Sequence, residues 1–117
     1  MRSLLLFLAI VFLAELPDAR ADPEAVDVAL VLAVDISASV DAREHRLQMA
    51  GIAAALQSKA VIDAIAAAPR KKIAITITQW SGLRVQRVVV PWTVIRDEET
   101  ARRLAHRILS APRADPG

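Results

Sequence analysis

The sequence predicts a mixed α/β layer fold: parallel strands at the centre, an antiparallel hairpin strand at one edge, and flanking helices. Three observations predict it. Val28–Val34 is an apolar run with no polar alternation, which suits a strand buried on both faces. Ile73–Thr78 alternates isoleucine with alanine and threonine, a period of two rich in β-branched residues. Helical spacing fills the stretches between and after these runs, and a chain of 117 residues allows one domain.

The first strand runs from about Asp27 to Val34 and stops at Asp35, after a polar lead-in at 22–26 in which Pro23 blocks an early ladder. Asp41 and Glu44 then form a capping-box pattern that opens a helix from about Ala42 to Gln57. Leu47, Ala50, Gly51, Ala54 and Ala55 share one face of it, widened by Met49, Ile52, Ala53 and Leu56. That face is expected on the sheet, with Arg43, Arg46 and Gln48 toward water. Lys59–Ala67 reads as a second short helix, ended by Pro69 and a solvated turn at Arg70-Lys71-Lys72.

Ile73–Thr78 follows, and Gly82 supplies the turn freedom for a hairpin into a strand from Val85 to Val90. Pro91 is expected to end that ladder and to mark an edge. Trp92–Ile95 reads as a connector, with Trp92 as a plug over the sheet edge. Trp80 is expected in hairpin packing, the alternative being a partner surface. Asp97, Glu98 and Glu99 stand where the last helix starts, and Arg102, Arg103 and Arg107 toward its end, an order that complements the macrodipole. Its buried stripe is Ala101, Leu104, Ala105, Ile108 and Leu109. Residues 111–117 form an irregular tail.

Composition narrows the function classes. There is no cysteine, so neither disulfides nor thiolate metal sites are available. Aromatics are 3 % of the chain, so the core must be aliphatic. The net charge of +2 is dispersed, and its tight basic cluster carries no interleaved aromatics, which argues against nucleic acid. Residues 1–21 read as a secretory signal peptide: Arg2 is the positive start, Leu4–Ala14 the apolar run, and Ala19-Arg20-Ala21 the cleavage pattern. The run is too short to cross a hydrocarbon core about 30 Å thick as a helix. A secreted or periplasmic product is expected, with no membrane contact after cleavage.

The chemistry is expected at the end of the first strand. Asp35, Ser37 and Ser39 alternate there, one carboxylate and two hydroxyls at the carboxyl end of a strand, where open α/β sheets place their ligands. Such a set is a half-site for a hard cation, since Mg²⁺ favours one or two carboxylates, neutral oxygens and retained water. The alternative is a strand-end turn in which Ser37 or Ser39 caps the next helix.

Asp35-Ile36-Ser37-Ala38-Ser39 resembles the Asp-x-Ser-x-Ser signature of von Willebrand factor A domains. The stretch VDVALVLAVDISASVDAREHRLQ, with TQWSG and VVVPWTVI further on, looks like a bacterial secreted branch of that superfamily known only as a domain of unknown function. The resemblance covers about Asp27 to Leu109. It implies a partial von Willebrand A fold (Rossmann-like, three-layer) over residues 27–110. It also implies a metal-ion-dependent adhesion site at Asp35, Ser37 and Ser39, holding Mg²⁺ or Mn²⁺ and binding a protein partner through its carboxylate, without enzymatic activity. The family's Thr and second Asp ligands have no counterpart here, and Asp115 departs from the Thr pattern. A truncated domain is therefore expected, with the ion lost through truncation as one consequence and a first strand less protected than its composition implies.

Other chemistries fit worse. A serine hydrolase built on Ser37 needs a base, and His45 and His106 are both expected to face solvent. Asp27 is at the far end of the strand from Asp35, too distant for a paired-carboxylate site. Gly51, Gly82 and Gly117 are isolated, so no phosphate-binding loop exists.

Overall fold

The computed structural model describes residues 24–116. The expected signal peptide lies outside the described residues. In order come β1 (Val28–Asp35), α1 (Ala42–Leu56), α2 (Lys59–Ala67), β2 (Ile73–Ser81), β3 (Val85–Ile95) and α3 (Glu98–Ser110). The strands form one sheet in the order β1-β2-β3, with β1 parallel to β2 and β3 antiparallel to it. This is a partial Rossmann-like α/β arrangement. Among the described residues no single helix is long and apolar enough to cross a membrane.

Local chemistry accounts for the element ends. Asp41 and Glu44 cap α1 reciprocally: the Glu44 N–H donates to Asp41 Oδ1 at 2.8 Å, and the Asp41 N–H donates to Glu44 Oε2 at 2.9 Å. Ser58 caps α2, and Asp97 caps α3 with Thr100 returning the bond. At the start of β1 the Asp27 carboxylate accepts the backbone N–H groups of Arg70 and Lys72, while its own N–H donates to the Lys72 carbonyl. Asp27 thus ties the basic turn to β1, on the opposite end of the strand from Asp35.

The core lies on one face of the sheet. Val34, Ile75, Ile77, Val90 and Ile95 meet Met49, Ala53 and Leu56 of α1, Ile65 of α2, and Ala101, Leu104, Ala105 and Ile108 of α3. On the other face Val31, Trp80 and Val88 are exposed, and among the described residues β1 has a strand neighbour on one side only. The described residues therefore supply two layers.

Four expectations are corrected. β3 does not end at Pro91: it continues to Ile95, because Pro91 and Trp92 lie opposite the single residue Thr76. That bulge accommodates a residue with no N–H on an edge strand. Trp92 is correspondingly a strand residue, and it is exposed rather than a plug. In α1 the expected inward face is rotated: His45, Met49, Ala53 and Leu56 are buried, whereas Leu47, Ala50, Gly51, Ala54 and Ala55 are exposed. α1 packs against α3 as well as the sheet, so its buried stripe follows the space between them. Leu109 of α3, expected in the stripe, is exposed for the same reason.

Candidate functional site

β1 delivers Asp35 at its carboxyl end, and the chain turns through Ile36–Val40 before Asp41 caps α1. Ile36 anchors the turn: its side chain is fully buried and its N–H donates to the Trp80 carbonyl at 2.9 Å. Asp35 Oδ1 accepts the Ser37 N–H at 2.8 Å, and the Val40 N–H donates to the Ser37 carbonyl at 2.9 Å. The Ser37 and Ser39 hydroxyl oxygens are 3.1 Å apart. The structure thus brings Asp35, Ser37 and Ser39 together in one turn. The N-cap of α1 is Asp41, so neither serine is spent on capping.

The oxygens suit a small divalent cation. At Mg–O distances of about 2.0–2.1 Å, neighbouring octahedral ligands stand roughly 2.9 Å apart, close to the spacing of the two hydroxyls. The N–H of Ser37, then its hydroxyl, hold the Asp35 carboxyl below the usual carboxylate range, with the Arg113 charge adding to the effect. An ionised carboxylate and two hydroxyls make a half-site. Among the described residues no three His, Cys, Asp or Glu side chains gather around a common point, so the rest of an ion's shell would come from water or a partner.

His45, expected to face solvent, is buried at 5 % exposure. Its partner explains the burial. The fully buried Gln79 accepts the Ala114 N–H through Oε1 at 2.7 Å, which orients the amide so that Nε2 faces both the Pro112 carbonyl and His45 Nε2, each at 3.3 Å. An amide NH₂ only donates, so His45 Nε2 is the acceptor and the ring proton resides on Nδ1. Burial, together with the charges of Arg113 and Arg46, pushes its pKa down. His106 is exposed on α3, as expected. The ring of His45 is hydrogen-bonded to Gln79 rather than to Ser37.

Sequence reasoning missed Arg113. In the tail after α3, its Nη2 donates to the carbonyls of Ile36 at 3.0 Å, Ser37 at 3.3 Å and Val40 at 2.6 Å. No periodicity marks such a residue, because its partners are backbone atoms far back in the chain. The one available signal was an arginine between two prolines, directly after the last helix.

A comparison with protein families matches residues 25–117 to the family described as "Protein of unknown function (DUF1194)". The chain belongs to the DUF1194 family. The match takes in every element of the DUF1194 domain described above, from β1 to the segment carrying Arg113. No curated protein and no solved structure matches the chain.

Proposed function

We propose that this DUF1194 chain is an exported, non-enzymatic binding module of the von Willebrand factor A type. Asp35, Ser37 and Ser39 are its cation ligands, and a carboxylate from a partner protein completes the shell. One observation carries the reading: a carboxylate and two hydroxyls converge in a single turn at the carboxyl end of β1, with the hydroxyl oxygens 3.1 Å apart. Mg²⁺ or Mn²⁺ bound there would supply a concentrated charge with open positions, which converts a partner's carboxylate into a strong, oriented contact. The chain's own part is to keep Asp35 ionised, through the Ser37 N–H, and to hold both hydroxyls beside it. Secretion or periplasmic export rests on residues 1–21.

The test is calorimetric titration of Mn²⁺ into the folded chain, with and without acetate as a carboxylate probe. Saturable binding is expected, abolished by Asp35→Ala and weakened by Ser37→Ala. By linkage, acetate should raise Mn²⁺ affinity. Absence of Mn²⁺ binding to the unmodified chain, or undiminished binding by Asp35→Ala, sinks the reading.

A second reading, a domain of this type that holds no ion and is loosely packed, is favoured by the exposure of β1. Val28, Leu30 and Val31 are all exposed along a strand whose composition suits burial on both faces. A melt that is indifferent to Mn²⁺ and lacks cooperativity would support it.

A further inference from the structure

The segment after α3 is fastened at Pro112, Arg113 and Ala114 among others, and the first and last of these meet in one side chain. Gln79, in the middle strand, takes the N–H of Ala114 and donates to the carbonyl of Pro112, so it grips the residues on either side of Arg113. Arg113 is thereby presented to the Ile36–Val40 turn. There a single guanidinium nitrogen collects the carbonyls of Ile36, Ser37 and Val40. These are charge-assisted bonds, stronger than bonds between neutral groups. They come at a cost, because Arg113 Nε is buried with no hydrogen-bond partner among the described residues. The arrangement stands only if the bonds to the turn outweigh that unpaired donor.

We infer that Arg113 is a positioning residue for the Asp35-Ser37-Ser39 turn, locking its backbone so that the side-chain oxygens are held ready for a cation. The role in cation binding rests on the reading proposed above; the backbone lock does not. The carbonyls of Ile36, Ser37 and Val40 are turned to the guanidinium, so what the turn has left to offer an ion is the Asp35 carboxylate, the serine hydroxyls and the carbonyls of Ala38 and Ser39. Two effects of Arg113 on an ion oppose each other. Its order-giving bonds favour binding, and its like charge disfavours it. The bonds hold the turn directly, whereas the guanidinium keeps its full unit charge, and the sign of the change in Mn²⁺ affinity in Arg113→Met decides which effect is larger. Groups hydrogen-bonded directly to metal-ligating side chains are typically worth roughly 10- to 100-fold in affinity, which bounds from above what a partner acting through the backbone contributes.

The test compares Arg113→Met, which keeps the apolar stem, with Arg113→Lys, which restores a cationic donor, and with Arg102→Met, which removes a charge from the exposed side of α3. Amide hydrogen exchange is read residue by residue on the full chain. In Arg113→Met the Ser37 and Val40 amides should exchange roughly tenfold faster while those of β2 and α3 keep their rates. Arg113→Lys should recover part of the protection, and Arg102→Met should change nothing. In the second arm, Mn²⁺ affinity should fall in Arg113→Met, by no more than roughly 100-fold. Unchanged exchange at Ser37 and Val40 overturns the inference. So does faster exchange spread evenly over the domain in both Arg113 variants, or tighter Mn²⁺ binding by Arg113→Met. If the unmodified chain binds no Mn²⁺, the metal reading fails, and the exchange arm alone decides the role of Arg113.

Discussion

On the face of the sheet that carries α1 and α3, Val34, Ile75, Ile77 and Ile95 are closed from solvent, whereas on the opposite face Val31, Trp80 and Val88 are exposed. The strands themselves do not explain the contrast. β1 is apolar on both faces, and β2 alternates isoleucine with threonine, so both surfaces have the composition to pack. What differs is the cover: the amphipathic helices bring Met49, Ala53, Leu104 and Ile108 to one side. Burial in this domain is decided by which neighbour arrives, and the same contrast runs through α1. Its Met49 stripe is enclosed, while Leu47, Gly51 and Ile52 line an open groove of about 490 Å³ beside β1.

The largest effect that would break the comparison is on core volume. Ile77→Ala, at a fully buried position, should cost about 3 kcal/mol, the transfer of the lost methyl groups plus the cavity left behind. Val88→Ala, across the sheet at 60 % exposure, should stay within about 0.5 kcal/mol. Urea denaturation of the two variants gives both numbers. Comparable losses would mean that the outer face is covered in solution.

A smaller effect sharpens the place of α1. Asp41→Ala removes one half of a reciprocal cap and should lower stability by about 1 kcal/mol. The loss should be confined, in hydrogen exchange, to the first turn of α1 and the turn before it. If α1 belongs to the closed half through Met49, Ala53 and Leu56, its later turns keep their protection. Loosening along the whole helix would place α1 with the open half instead.

Elements were readable in the sequence where a local rule suffices. Asp41 with Glu44 gave the start of α1, Pro69 the end of α2, and the Ile73-Ile75-Ile77 alternation gave β2. The faces of α1 were not, because Leu47 and Met49 are equally apolar and only the docking of α3 decides between them. β3 ran past Pro91 because a bulge, which depends on the partner strand, absorbs the missing N–H. At the candidate site, the end of the apolar run at Asp35 and the alternation of Ser37 and Ser39 pointed to one turn, while a ligand role for the three rests on the resemblance as well. Arg113 and Gln79 were not legible, since both act on backbone groups tens of residues away, and a polar residue in an apolar strand carries no sign of its partner. His45 was misplaced for the same reason: a histidine between charged residues reads as solvated until Gln79 is found behind it.

The smallest expected effect concerns pH, and it probes the closed half alone. His45 is buried, accepts from Gln79 through Nε2, and faces the charges of Arg46 and Arg113, so its pKa is lowered in the folded state. In the unfolded chain it titrates near its ordinary value of about 6.5. Below that value the unfolded state binds a proton that the folded state does not, so stability is fully present above about pH 6.5 and falls as the pH drops beneath it. The urea midpoint should therefore decline as the pH falls below about 6.5 in the unmodified chain and decline less in His45→Gln, whose amide carries no charge. His106→Gln, exposed on α3, should keep the original slope. Asp35, Asp97 and Glu24 are all held below the ordinary carboxylate range, so their contributions are lost at more acid pH and leave this window clear. A slope unchanged by His45→Gln would show that His45 takes up its proton as readily in the folded state as in the unfolded chain, and would separate its burial from the closure of the inner face.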